Sequence, residues 1–209
     1  MIEPARPTDR IPAPVLYGVF LLSGFAAILY QLVWQRSLFR LLGTSSESVT
    51  MVVTAFMLGL GLGSVAGGWV SVRSKLALPI VFGLVEIGIG TFGLVSMPLF
   101  RWIASVTAAA RGLTIGLIAF VAVLIPTLFM GGTLPILVSY LVRRSGNVGK
   151  SVGLLYFINT LGSAVGSLAA SLWILGLLGQ GGSVLLAAAM NLAIGSGILG
   201  FFRLRGKPA

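Results

Sequence analysis

The sequence predicts an all-α, polytopic membrane protein: a bundle of about six transmembrane helices in a single domain. Three observations predict it. Of the 209 residues 57% are hydrophobic and only 9% charged, whereas soluble domains carry nearer a quarter charged residues. The mean hydropathy is +1.07. The apolar stretches are long enough, at 1.5 Å per helical residue, to cross a hydrocarbon core of about 30 Å, and polar residues gather in short loops between them. The spans expected are 15–42, 47–70, 76–100, 113–142, 152–177 and 183–202, with a polar tail over 1–14 and a basic tail over 203–209.

The first span is too long for the hydrophobic region of a signal peptide and has no small-residue cleavage site behind it, so it is expected to stay in the membrane. Its end carries Tyr30, Gln31, Trp34, Gln35, Arg36 and Arg40. These fit either an interfacial belt with a snorkelling arginine or the mouth of a polar cavity lined by Gln31, Gln35 and Arg36. The second span places Gly59, Gly63 and Gly67 four residues apart, a stripe that lets another helix backbone approach closely.

In the third span Glu86 is the only charge after Lys75. It falls near mid-depth, where a carboxylate costs at least a few kcal/mol unless protonated, paired or facing a polar cavity. Gly83, Glu86, Gly90 and Gly93 share one helical face, so Glu86 is expected to point into protein. The fourth span contains Pro126, Gly131, Gly132 and Pro135, and each proline removes a helix hydrogen bond. A kinked or locally unwound helix is expected there, a candidate gate. Span five repeats the small-residue stripe with Gly162 and Gly166 and carries Asn159; span six carries Asn191. Both asparagines suit interhelical hydrogen bonds, each of about 0.6–2 kcal/mol, and both are candidate ligand groups with Glu86, Gln31 and Arg36.

Charge sets the orientation. With six spans, Arg6, Arg10, Arg73, Lys75, Arg143, Arg144, Lys150, Arg203, Arg205 and Lys207 fall on one side, and Arg36, Arg40, Arg101 and Arg111 on the other. This places both termini in the cytoplasm and assigns the +10 formal charge to topology and anionic lipid rather than to nucleic acid. Spans two and five share the small-residue stripe, as in a 3+3 inverted repeat. With no cysteine and no histidine, a metal or redox cofactor is not expected. The four acidic residues Glu3, Asp9, Glu47 and Glu86 cannot compose a catalytic set, so no enzyme activity is expected and no catalytic residue is assigned.

The strings SGFAAILYQLVWQRSLFRLLG (23–43), AFMLGLGLGSVAGGWVSVRSK (55–75), IPTLFMGGTLPILVSYLVRR (125–144) and GKSVGLLYFINTLGSAVGSLAA (149–170) resemble, in that order, the membrane domain fused to spermidine-synthase-like domains in bacteria. The resemblance implies half of a major facilitator bundle in a bacterial cytoplasmic (inner) membrane. It also implies that aminopropyl transfer would belong to a soluble domain whose site residues this chain lacks. Two positions depart from the family pattern: Val72 stands where an aspartate is usual, weakening a gating role for Arg73, and Gln31 stands where a glutamate is common.

Two functions are then expected. In the first, a non-catalytic membrane subunit docks through its glycine-rich faces into a larger complex or recruits a separate enzyme. In the alternative, two copies, or one copy with a homologous half, form a carrier for a polyamine or other organic cation at Glu86. Either way the partners are lipid and other membrane subunits or a second copy.

Overall fold

The computed structural model describes residues 11–42, 46–107 and 112–205. The expected tail over 1–14 therefore lies mostly outside the described residues, as do Arg6, Arg10, Arg111 and Lys207 of the charge count and the side chains of Glu47 and Arg205. Every regular element among the described residues is helical: α1 (Ala13–Leu42), α2 (Ser46–Arg73), α3 (Leu78–Val106), α4 (Gly112–Ser145), α5 (Val148–Ala169), a π turn (Ala170–Ile174) and α6 (Leu175–Arg205). Five stretches are long and apolar enough to cross a membrane, and the fifth runs through 57 residues, Val148–Leu204.

That fifth stretch would reach about 85 Å if straight, nearly three times a hydrocarbon core. It is broken at Gly179, whose φ of 63° and ψ of −173° are not helical and belong to a region open essentially to glycine alone. The neighbours of its two parts show that the chain reverses there. On α5, Asn159 meets Phe20 and Gly166 meets Phe25, so α5 runs parallel to α1. On α6, Gly195 meets Gly83 and Leu192 meets Gly90, so α6 runs antiparallel to α3. Because α1 and α3 are parallel, with Ser23 opposite Glu86 and Trp34 opposite Ser96, α5 and α6 run in opposite directions.

The break expected in the fourth span is not where the chain breaks. α4 is one continuous helix through Pro126 and Pro135. Thr127 donates to the carbonyls of Val123 and Leu124, both at 2.9 Å, and Thr133 to that of Met130 at 2.7 Å. α4 lies against α2 and α3, and the local unwinding expected at the prolines is absent.

Helix pairing follows the small residues. α2 runs parallel to α4, and methyl groups built on Gly59, Gly63 and Gly67 would overlap Thr127, the Leu128 carbonyl and Gly132. Gly131 sits equally close to the Leu60 backbone, so the candidate gate glycines are packing positions in this bundle. In the same way Gly162 abuts the Leu21 carbonyl and Gly166 abuts Phe25 and Ile28, pressing α5 onto α1. The glycine stripes are therefore used inside the bundle. At one end, Arg143 donates to the Ser71 carbonyl at 2.6 Å and Arg144 to the Ile11 carbonyl at 2.7 Å. These contacts tie α4 to α2 and to the start of α1, while Arg73 lies 4.6 Å from the centroid of the Trp69 ring.

The aromatic end of α1 is not an interfacial belt. Tyr30 and Trp34 are fully buried. Their rings stack at 4.7 Å, and Trp34 meets Phe92 and Phe100 edge-on. The indole N–H donates to Ser96 Oγ at 3.1 Å, which satisfies the one polar group Trp34 carries into the core. Gly93 makes room for the Tyr30 ring: a methyl there would overlap the phenol.

Candidate functional site

Glu86 is 0% exposed and lies where α1, α3 and α6 meet. The face it shares with Gly83, Gly90 and Gly93 is turned into the protein. Gly83 and Gly90 bring α6 close enough for Asn191 to reach the carboxylate, and α1 supplies Ser23. Ser23 Oγ donates to Glu86 Oε1 at 2.6 Å, and Asn191 Nδ2 donates to Glu86 Oε2. Both partners are neutral. The described lysines and arginines sit toward the helix ends, so no positive side chain balances the carboxylate at its own depth.

Ser23 and Asn191 also line a cavity of about 150 Å³. Its polar wall is completed by Gln31 on α1, Thr133 on α4, and Asn159 and Ser163 on α5. Its apolar wall comes from Phe56 and Leu60 on α2, Ile89 on α3 and Met130 on α4. Glu86 does not stand on the wall itself. It lies behind Ser23 and Asn191, the two wall residues to which it is hydrogen-bonded. Gln31, Asn159 and Ser163 are half-buried and mark the side on which the cavity approaches the exterior.

Of the candidate ligand residues, Gln31, Asn159 and Asn191 line one cavity and Glu86 is bonded to Asn191 behind it, although the four lie on four different helices. Arg36 is not with them: it is exposed near the end of α1, outside the cavity lining, as is the half-buried Gln35. Pro126 and Pro135 are likewise off the lining. Three polar lining residues, Ser23, Thr133 and Ser163, are not among the candidate ligand residues of the sequence. The signal was present on two helices, because Ser23, Ala27 and Gln31 follow at four-residue intervals on α1, as do Asn159 and Ser163 on α5.

Three buried oxygens have no hydrogen-bond partner among the described residues: Tyr30 Oη, Gln180 Oε1 and Asn191 Oδ1. The last belongs to the cavity wall. Among the described residues no three metal-binding side chains gather in one place. The chain matches no known family profile, no curated protein and no solved structure.

Proposed function

We propose that this chain is a half-sized membrane carrier that holds a small organic cation in the cavity beside Glu86. The observation that carries this reading is a fully buried carboxylate with only neutral partners, set behind the wall of a cavity with six polar side chains. An ionised carboxylate in that place calls for a positive guest, and a cation entering the cavity supplies it.

In this reading the chain crosses the membrane six times, reversing at Gly179, as two inverted three-helix repeats. Support comes from the way the pairings exchange when α1–α3 are swapped with α4–α6. The packing of α2 on α4 becomes that of α5 on α1, parallel in both cases and glycine-lined in both. At the crossing of α3 and α6, exchanging residues 105 positions apart turns the Gly83–Gly195 contact into Ala188–Gly90, and Ile87–Gly195 into Leu192–Gly90. The same exchange swaps Glu86 with Asn191, so the hydrogen bond between them lies on the proposed two-fold axis. A second copy, or a homologous half, completes the pathway. The membrane is a bacterial cytoplasmic one with both termini inside, in keeping with Arg73, Lys75, Arg143, Arg144, Lys150 and Arg203 at one end of the bundle and Arg36, Arg40 and Arg101 at the other. The chain itself is non-catalytic and carries no cofactor.

The contrasting reading is a docking subunit of a larger complex that uses its glycine-rich faces as contact surfaces; the packing of Gly59, Gly63, Gly67, Gly162 and Gly166 against helices of this same chain favours the carrier. The deciding experiment is counterflow of labelled methylammonium into vesicles containing the purified protein. Uptake above empty vesicles, abolished by Glu86→Gln in a variant that still folds, is the expected result. No uptake by the intact protein, together with fixed stoichiometry to other polypeptides in native mass spectrometry, would replace the carrier by the docking subunit.

A further inference from the structure

Building on the cation-binding reading of this cavity, we infer that its guest is a primary ammonium on a short apolar stem, selected by its hydrogen-bond donors and not by charge alone. The argument is an inventory of protons. A hydroxyl has one proton to give and then can only accept. Ser23 gives its proton to Glu86 at 2.6 Å, Thr133 to the Met130 carbonyl at 2.7 Å and Ser163 to the Gly24 carbonyl at 3.0 Å. All three hydroxyl oxygens on the cavity wall are therefore left as acceptors.

The amides each add an acceptor oxygen beside their remaining N–H. Asn191 spends one of its two N–H groups on Glu86, and its Oδ1, on a residue only 1% exposed, has no partner among the described residues. Asn159 spends an N–H on the Phe20 carbonyl at 3.4 Å. Only Gln31 brings an amide with no proton committed in a described hydrogen bond. A cavity rich in acceptors, with a carboxylate behind it, is complementary to a guest that is both positive and rich in donors, and –NH₃⁺ offers three.

The apolar part of the lining fixes the rest of the guest. Phe56, Leu60, Ile89 and Met130 offer no strong hydrogen-bonding group, so the stem facing them is apolar. A volume of about 150 Å³ is of the order that takes up benzene in an apolar protein cavity, so the stem is limited to a few carbons.

The test compares ethylammonium with tetramethylammonium, which has the charge and no donors, by titration calorimetry on the full-length protein in mild detergent. Ethylammonium is expected to bind about tenfold tighter or more, since hydrogen bonds to charged groups are worth that much. Asn191→Leu would strip Glu86 of a partner and could unfold the bundle. Thr133→Val and Ser163→Ala therefore carry the test: each removes one acceptor from the wall and should weaken ethylammonium binding several-fold more than tetramethylammonium binding, narrowing the preference. Equal binding of both cations, lost in Glu86→Gln, would overturn the donor selection and leave the carrier standing. An unchanged preference in both hydroxyl variants would overturn it too. Binding of neither cation would overturn this inference and the cation-carrier reading together.

Discussion

At the scale of single residues, the site depends on where one carboxylate finds its hydrogen bonds. Removing a donor from a buried charged group costs about 1–3 kcal/mol or more, because the group keeps its desolvation penalty and loses its compensation. Ser23→Ala leaves Glu86 Oε1 without the 2.6 Å bond from Ser23, and is therefore expected to lower thermal stability in detergent by about that amount. Glu86→Gln should cost far less, since Ser23 can still donate to the amide oxygen and the Asn191 amide can turn to accept. Should Ser23→Ala prove neutral while Glu86→Gln unfolds the protein, this account of the site would be wrong. Trp34 gives a second test, because the belt and the core placements differ in consequence. Buried, stacked on Tyr30 and bonded to Ser96, it should lose about 3 kcal/mol as alanine, the low end for a core aromatic because lipid tails are as apolar as the side chains replaced. A belt residue would lose almost nothing.

At the scale of elements, glycine stripes decide which helices touch, and a single glycine decides where the chain turns. A side chain on Gly63 would meet the Leu128 carbonyl, which belongs to the α4 backbone and cannot swing aside. Gly63→Leu is expected to separate α2 from α4 and cost about 1–3 kcal/mol, measurable as a drop in unfolding temperature. Gly61, whose added methyl would meet nothing within 4 Å, is the matched control and should tolerate the same change. At Gly179 the reason differs, since there is space but the backbone is strained for any other residue. Gly179→Ala should destabilise by about 1–3 kcal/mol. If it does not, the reversal between α5 and α6 does not need the conformation described.

At the scale of the whole molecule, the chain's lack of cysteine makes its topology directly testable. Single cysteines at Lys150 and Arg203 lie at the two ends of the 57-residue stretch. If that stretch folds back at Gly179, an impermeant thiol reagent applied to sealed vesicles labels both from the same side. One uninterrupted span would put them on opposite sides. A cysteine at Arg101, at the other end of the bundle, should label from the side opposite to Lys75. Same-side labelling of Lys75 and Arg101 would remove the up-and-down order of the helices and with it the inverted repeat.

By itself the sequence determined the class of the protein, the positions of most helices and the burial of Glu86. These follow from local properties: apolar run length against bilayer thickness, the helical period that puts Gly83, Glu86, Gly90 and Gly93 on one face, and the energetic cost of a carboxylate facing lipid. Only the tertiary structure decided which helices the stripes join, that Tyr30 and Trp34 belong to the core, that α4 stays whole while the chain breaks at Gly179, and that Ser23, Thr133 and Ser163 share a wall with Asn191. The physical reason is range. A helix's own sequence fixes which face is small or polar, but Glu86 bonds to residues 63 and 105 positions away. Which distant face it meets is settled only when all the helices pack at once.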